Sequence, residues 1–210
     1  MTSLTEKEST RRGGRGARRR ILAAAAQLFY FEGINATGVD LIADRASVSK
    51  RTLYQHFPSK AALVEEYLRQ LRQQGGEGAA AQTPDSTPRA QLLALFELTD
   101  AGIGRMRGCP FHNAAVEAAG VMPGVEHIVH LHKRDYIDGL TELAREAGAT
   151  DPDMLGNQIA LLYEGASGLS MSLNDPAPWA HARAAADALI DQATSRSASP
   201  QDIRQGLIST

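Results

Sequence analysis

The stretch from Thr37 to Lys60, T-G-V-D-L-I-A-D-R-A-S-V-S-K-R-T-L-Y-Q-H-F-P-S-K, constrains this chain more than any other part of it. It holds two short apolar patterns with a tight break between them. Val39, Ile42 and Ala43 recur at spacings of three and four, which predicts one face of a short helix with Thr37 in front as an N-cap. Leu53 and Phe57 stand one turn apart on the buried side of a second helix, for which Ser49 is the cap candidate. Val48, in the break, can plug the angle between the two. The outward side of the second helix then carries Lys50, Arg51, Thr52, Tyr54, Gln55 and His56. Side chains of these types donate to phosphate oxygens, touch a thymine methyl and read base edges, which a helix lying in the major groove needs.

These residues also resemble a family. Thr52-Leu53-Tyr54-Gln55-His56-Phe57, followed by Ser59-Lys60, is similar to the end of the DNA-binding domain of TetR/AcrR-type transcriptional regulators. Ile42-Ala43-Asp44-Arg45-Ala46-Ser47-Val48-Ser49 fills that family's turn pattern. Two positions depart from it. Ser47 stands where the family usually has glycine, and a non-glycine residue at positive φ carries a steric cost. Gly38 stands where a second hydroxyl is common, so one phosphate contact is missing. The resemblance is specific over about residues 18–71 and architectural beyond.

The charge distribution agrees with a nucleic-acid partner. The 210-residue chain has a net charge of −2, but residues 1–74 hold thirteen Lys/Arg against seven Asp/Glu, while residues 75–210 hold nine against seventeen. A basic third on an acidic remainder indicates that only the first part meets a polyanion. With 43% apolar and 5% aromatic residues and no strand-like alternation, the chain reads as all-α. The apolar stretches are too short to span a bilayer and the basic start lacks an apolar signal region, so a cytoplasmic location is expected. One cysteine excludes an intrachain disulfide framework and a Cys-cluster zinc site.

Along the chain, residues 1–16 read as a disordered basic arm and 17–60 as a three-helix helix-turn-helix domain. Residues 61–74 read as a connecting helix, 75–194 as a larger helical domain, and 195–210 as a disordered tail. The first helix of the DNA-binding domain carries Ile21, Leu22, Ala25, Leu28 and Phe29 and stops at Gly33. Its Arg18-Arg19-Arg20 start opposes the helix dipole, which suits arginines that face phosphate. Ser59 is the cap candidate of the fourth helix, whose buried face Leu63, Val64, Tyr67, Leu68 and Leu71 are expected to line. Further helices are expected at about residues 89–103, 111–119, 125–147, 152–173 and 178–193.

The resemblance implies the rest of the architecture. Lys60 matches the family's phosphate-contacting lysine at the start of the fourth helix. Lys50, Arg51, Thr52, Gln55 and His56 are the candidates for base-edge contact, and Thr37, Tyr54 and Lys60 for phosphate positioning. The larger domain would dimerise through the last two helices, where Gly165, Ala166, Ser167 and Gly168 permit close approach. It would also enclose a small-molecule effector, whose candidate neighbours are Phe96, Met106, Cys109, Phe111, His112, Asn113, Val116, Tyr136 and Tyr163. A homodimeric repressor, released from operator DNA by its ligand and requiring no cofactor, is the implied function.

Other chemistry is less well supported. Cys109, in R-G-C-P-F-H-N, gives an alternative reading as a redox or electrophile sensor. His127, His130 and His132, with Asp135 or His112, give another as a metal sensor, although His127 and His132 point in different directions. Catalytic signatures are missing: there is no G-x-S-x-G elbow, P-loop or dinucleotide fingerprint, so a helical enzyme or carrier is the remote alternative.

Overall fold

A computed structural model describes residues 16–75, 86–97 and 107–195. The expected basic arm, the C-terminal tail and Met106 lie outside them, apart from Gly16 and Ser195. The described residues form helices joined by turns, numbered here in chain order, with no strand among them. Helix α1 (Ala17–Phe31), α2 (Val39–Arg45), α3 (Lys50–His56) and α4 (Lys60–Gln73) precede α5 (Pro88–Ala94) and α6 (Pro110–Ala118). Three longer helices follow: α7 (Pro123–Glu146), α8 (Pro152–Leu173) and α9 (Ala177–Thr194).

The chain does not divide at one point along its length. Described residues within Met1–Ala79, Gly102–Asp135 and Met171–Asn174 form one unit, and those within Ala80–Ala101, Tyr136–Ser170 and Asp175–Thr210 form another. The first unit therefore contains α1–α4 together with α6 and the start of α7. Its core joins Ile21, Leu28 and Phe29 of α1 to Ile42, Leu53, Phe57, Leu63 and Leu68, and then to Phe111, Ala114 and Ala118 of α6. Val48 packs against the same core, as its position in the break predicts.

The α2–α3 turn closes as a Schellman motif. The Ser47 N–H donates to Asp44 O and the Val48 N–H to Ala43 O, both at 3.0 Å, with Ser47 at φ 52. The same motif ends α7, where Gly148 takes the left-handed position at φ 85. Ser47 bears the steric cost that Gly148 avoids, roughly 1–2 kcal/mol. Glycine gives back about 0.5–1 kcal/mol through its freer unfolded chain. Ser47→Gly should therefore stabilise the chain by up to about 1 kcal/mol. The check is a higher urea midpoint at unchanged m-value; a lower midpoint would mean that the serine hydroxyl holds the turn.

Helix α6 is pinned to the α1–α2 turn by Glu117. The Asn35 N–H donates to Glu117 Oε2 at 2.6 Å, and Asn35 Nδ2 donates to the Glu117 carbonyl at 3.1 Å. Gly33, at φ 99, makes room for that carboxylate, which lies 3.3 Å from where a Cβ would be. Arg72 of α4 pairs with Asp135 of α7.

In the second unit Leu92, Phe96, Leu140, Ala144, Leu155, Ile159, Ala166, Ala182, Ala186 and Ile190 form the core. Arg89 of α5 forks between Asp187 and Asp191 of α9, at 2.8 and 2.7 Å. Helices α7 and α8 approach closely at Gly156, where an added Cβ would lie 2.8 Å from Thr141 N and 2.9 Å from its Cα. The apolar residues of α8 divide between core and surface. Leu155, Ile159 and Ala166 are buried, whereas Met154, Leu161 and Leu169 are exposed.

Candidate nucleic-acid interface

Helix α3 is anchored from beneath and presents its other side. Leu53 and Phe57 are buried. Ser49 caps the helix, its Oγ accepting from the Thr52 N–H at 3.1 Å and sharing a 2.8 Å hydrogen bond with Thr52 Oγ1. Lys50, Arg51, Tyr54, Gln55 and His56 are exposed, and Thr52 is half-buried. Five of the six residues expected on this face thus lie open on one seven-residue helix, and the sixth shares its hydroxyl with the cap.

Thr37 departs from expectation. It is fully buried, and its hydroxyl donates inward, 2.7 Å from Gly33 O and 3.3 Å from Leu28 O. The N-cap of α2 is Gly38, in extended conformation and with no side-chain cap. A hydroxyl committed to the α1 C-terminus cannot reach a phosphate, so Thr37 clasps the turn and leaves the phosphate-positioning set. The arginines of α1 differ from expectation as well. Arg18 pairs with Glu66 at 2.6 Å and lies over the Phe57 ring, while Arg20 Nε donates to Ala46 O at 3.0 Å. Both brace the domain internally, which offsets their unfavourable place on the dipole; Arg19 remains exposed.

At the start of α4, Ser59 Oγ accepts from the Ala62 N–H at 3.1 Å and Lys60 is half-buried. Desolvation lowers the Lys60 pKa, and the nearby Glu117 carboxylate opposes that shift. Sequence reasoning missed Glu117, because no spacing links an acid on α6 to a turn 82 residues earlier.

The expected effector neighbours fall in both units. Phe96, Tyr136 and Tyr163 meet in the second unit, with Trp179 as a fourth ring that the sequence did not single out. The Tyr163 ring lies 6.4 Å from Phe96, 5.6 Å from Tyr136 and 5.1 Å from Trp179, between ring centres. Phe111 belongs to the core of the first unit, stacked on His132 at 3.6 Å. His112 and Val116 are exposed, and Asn113 Nδ2 donates to Arg107 O at 2.7 Å. Cys109 is buried and caps α6: its Sγ accepts from the His112 N–H at 3.2 Å, with Lys133 Nζ 3.4 Å away. Among the described residues, no group of three or more His, Cys, Asp or Glu is placed to share a metal ion. No described helix is long and apolar enough to cross a membrane.

Known proteins are similar to this chain in sequence and fold. Residues 21–67 match the family model described as bacterial regulatory proteins, tetR family. A solved TetR transcriptional regulator from Streptomyces avermitilis is 30% identical with a TM-score of 0.69, covering 81% of this chain and 98% of its own. The chain belongs to the TetR family. A TetR-family regulator from Streptomyces coelicolor is similar as well, at 27% identity and TM-score 0.71 over 85% of this chain and 96% of that one. Among curated relatives, the HTH-type transcriptional activator FasR of Mycolicibacterium smegmatis is 48% identical over 91 residues, which span 40% of each chain. The HTH-type transcriptional repressor KstR2 of Rhodococcus jostii is 46% identical over 57 residues, 27% of this chain and 28% of its own. The match thus spans less than half the length of either curated relative, one named an activator and the other a repressor.

Proposed function

We propose that this TetR-family member is a cytoplasmic, homodimeric DNA-binding regulator, a repressor that a small molecule releases from its operator. The exposed face of α3 carries the reading: five polar or basic side chains stand open there while Leu53 and Phe57 hold the helix from below. Lys50, Arg51, Thr52, Gln55 and His56 supply base-edge contacts, and Tyr54 and Lys60 contact phosphate. Dimerisation uses α8 and α9, whose exposed leucines and small residues suit a four-helix contact. The effector binds in the second unit near Phe96, Tyr136 and Tyr163, where Trp179 adds ring surface. To relieve repression it must bind the DNA-incompetent arrangement better than the competent one.

Fluorescence polarisation against duplex DNA over a range of salt tests this reading. Lys60→Ala should weaken binding to every sequence alike and flatten the log–log salt slope by about one for each subunit, hence about two for the dimer. A changed base preference in that variant would remove Lys60 from the phosphate set. A chain with no salt-sensitive, sequence-selective binding would be a carrier or enzyme instead. For the effector, a compound that raises the melting temperature and lowers operator affinity together is the expected screening result.

A further inference from the structure

One charge on the recognition face has the wrong sign for meeting a polyanion. Asp40, in the first turn of α2, has a side chain 75% exposed and lies beside Lys50, the first residue of α3. Lys50 Nζ is 2.9 Å from Asp40 Oδ1 and 3.1 Å from Oδ2. Neither side chain is packed in place, and a pair this exposed adds little to stability. The pair does determine how the first turn of α3 meets DNA. The carboxylate neutralises Lys50 and repels phosphate, so it removes one cation from the sequence-independent attraction on which non-specific binding depends. The hydrogen bond to Asp40 also raises the Lys50 pKa, so the amine stays charged.

We propose that Asp40 and Lys50 together read a single G·C base pair, with Asp40 as the specificity-determining residue of the interface. The inference rests on the DNA-binding reading above. In the major groove a G·C pair presents two adjacent acceptors, guanine N7 and O6, and then the cytosine N4 amine as donor. An ammonium and a carboxylate held side by side match that order: Lys50 donates to guanine and Asp40 accepts from cytosine. An A·T pair sets its amine between two acceptors, adenine N7 and thymine O4. A carboxylate reaching that amine lies against an acceptor, so A·T is rejected. On DNA without the matching pair, Asp40 has no donor and faces only negative charge.

The test uses the full chain, a random-sequence duplex library for site selection, and polarisation across salt. The wild type should select one G·C position in each half-site, which Asp40→Asn and Lys50→Ala each flatten by about tenfold in base discrimination. Asp40→Asn should also bind the unselected duplex pool about tenfold more tightly, with a salt slope steeper by about one for each subunit bound, because Lys50 is freed for phosphate. In a Lys50→Ala background, Asp40→Asn should no longer steepen the slope. The proposal is overturned if Asp40→Asn leaves both selected sites and salt slope unchanged, or if the position it flattens is A·T. A wild type that shows no salt-dependent DNA binding would instead overturn the DNA-binding reading itself.

Discussion

Gly156→Ala should destabilise the chain by about 2 kcal/mol, although the same substitution in an open helix stabilises. The added Cβ would sit 2.6 Å from Thr141 Oγ1, 2.8 Å from Thr141 N and 2.9 Å from Thr141 Cα. A hydroxyl can rotate away, but a backbone nitrogen and Cα cannot, so α7 and α8 must separate within the second unit. Overpacking of this kind costs about 1–3 kcal/mol and sometimes more, against a gain of up to about 1 kcal/mol for alanine's better helix propensity. Leu155 and Ile159 flank the glycine in the buried core, so separation also loosens their packing. The internal control is Gly139 on α7, which is exposed and has nothing within 4 Å of where a Cβ would stand. Gly139→Ala should gain about 0.5–1 kcal/mol. Urea melts of the two variants should therefore shift in opposite directions. Thr141→Ala should not rescue Gly156→Ala, because the closest immovable atoms are backbone; full rescue would sink the steric account.

Much of the local structure was legible in the sequence because it is written in short-range chemistry. Ser49 and Ser59 cap the helices they precede. Ser47 carries the left-handed turn for which glycine is the usual choice. The face of α3 followed from Leu53 and Phe57 alone, since two buried positions one turn apart determine which way the others point. Long-range relations were not legible. Thr37 has a cap-like composition, but its hydroxyl turns to the end of α1, and Gly38 takes the cap position without a side chain. Arg18 and Arg20 sit in a basic run suited to phosphate, yet Glu66 and the Ala46 carbonyl claim them from within the domain. The grouping of α6 with the helices of the DNA-binding domain depends on Phe111 and Ala118 joining their core, and on Glu117 meeting Asn35, 82 positions earlier. In Gly156 the same limit applies: a helical glycine shows its own small size but not which neighbouring backbone requires it.

Leu161→Glu should convert the proposed dimer to a monomer and weaken operator binding by at least about a hundredfold, while leaving the fold of each chain intact. Leu161 is 72% exposed, so replacing it alters almost no packing within the subunit. A surface change of this kind usually moves stability by less than about 0.5 kcal/mol. Leu161 belongs to an exposed apolar stripe on α8 with Met154 and Leu169, interrupted by Gly165, which has nothing within 4 Å. On α9, the exposed Ala184, Ala185 and Ala188 offer a small-residue surface of the sort that lets helices pack closely. A stripe of this extent is unfavourable in water and is ordinarily covered by a partner. A carboxylate buried in such a contact has no counter-charge and costs several kcal/mol in each subunit. The effect on DNA follows from geometry. One helix-turn-helix contacts few base pairs, and two such domains on paired half-sites multiply their affinities, so a monomer keeps only the weaker half. Light scattering gives the mass and polarisation the affinity, with Val116→Glu as the control, since Val116 is similarly exposed at 67% but lies on α6. If Leu161→Glu remains a dimer, the subunits meet elsewhere. If it is a monomer that binds as tightly as the wild type, pairing is not the source of operator affinity.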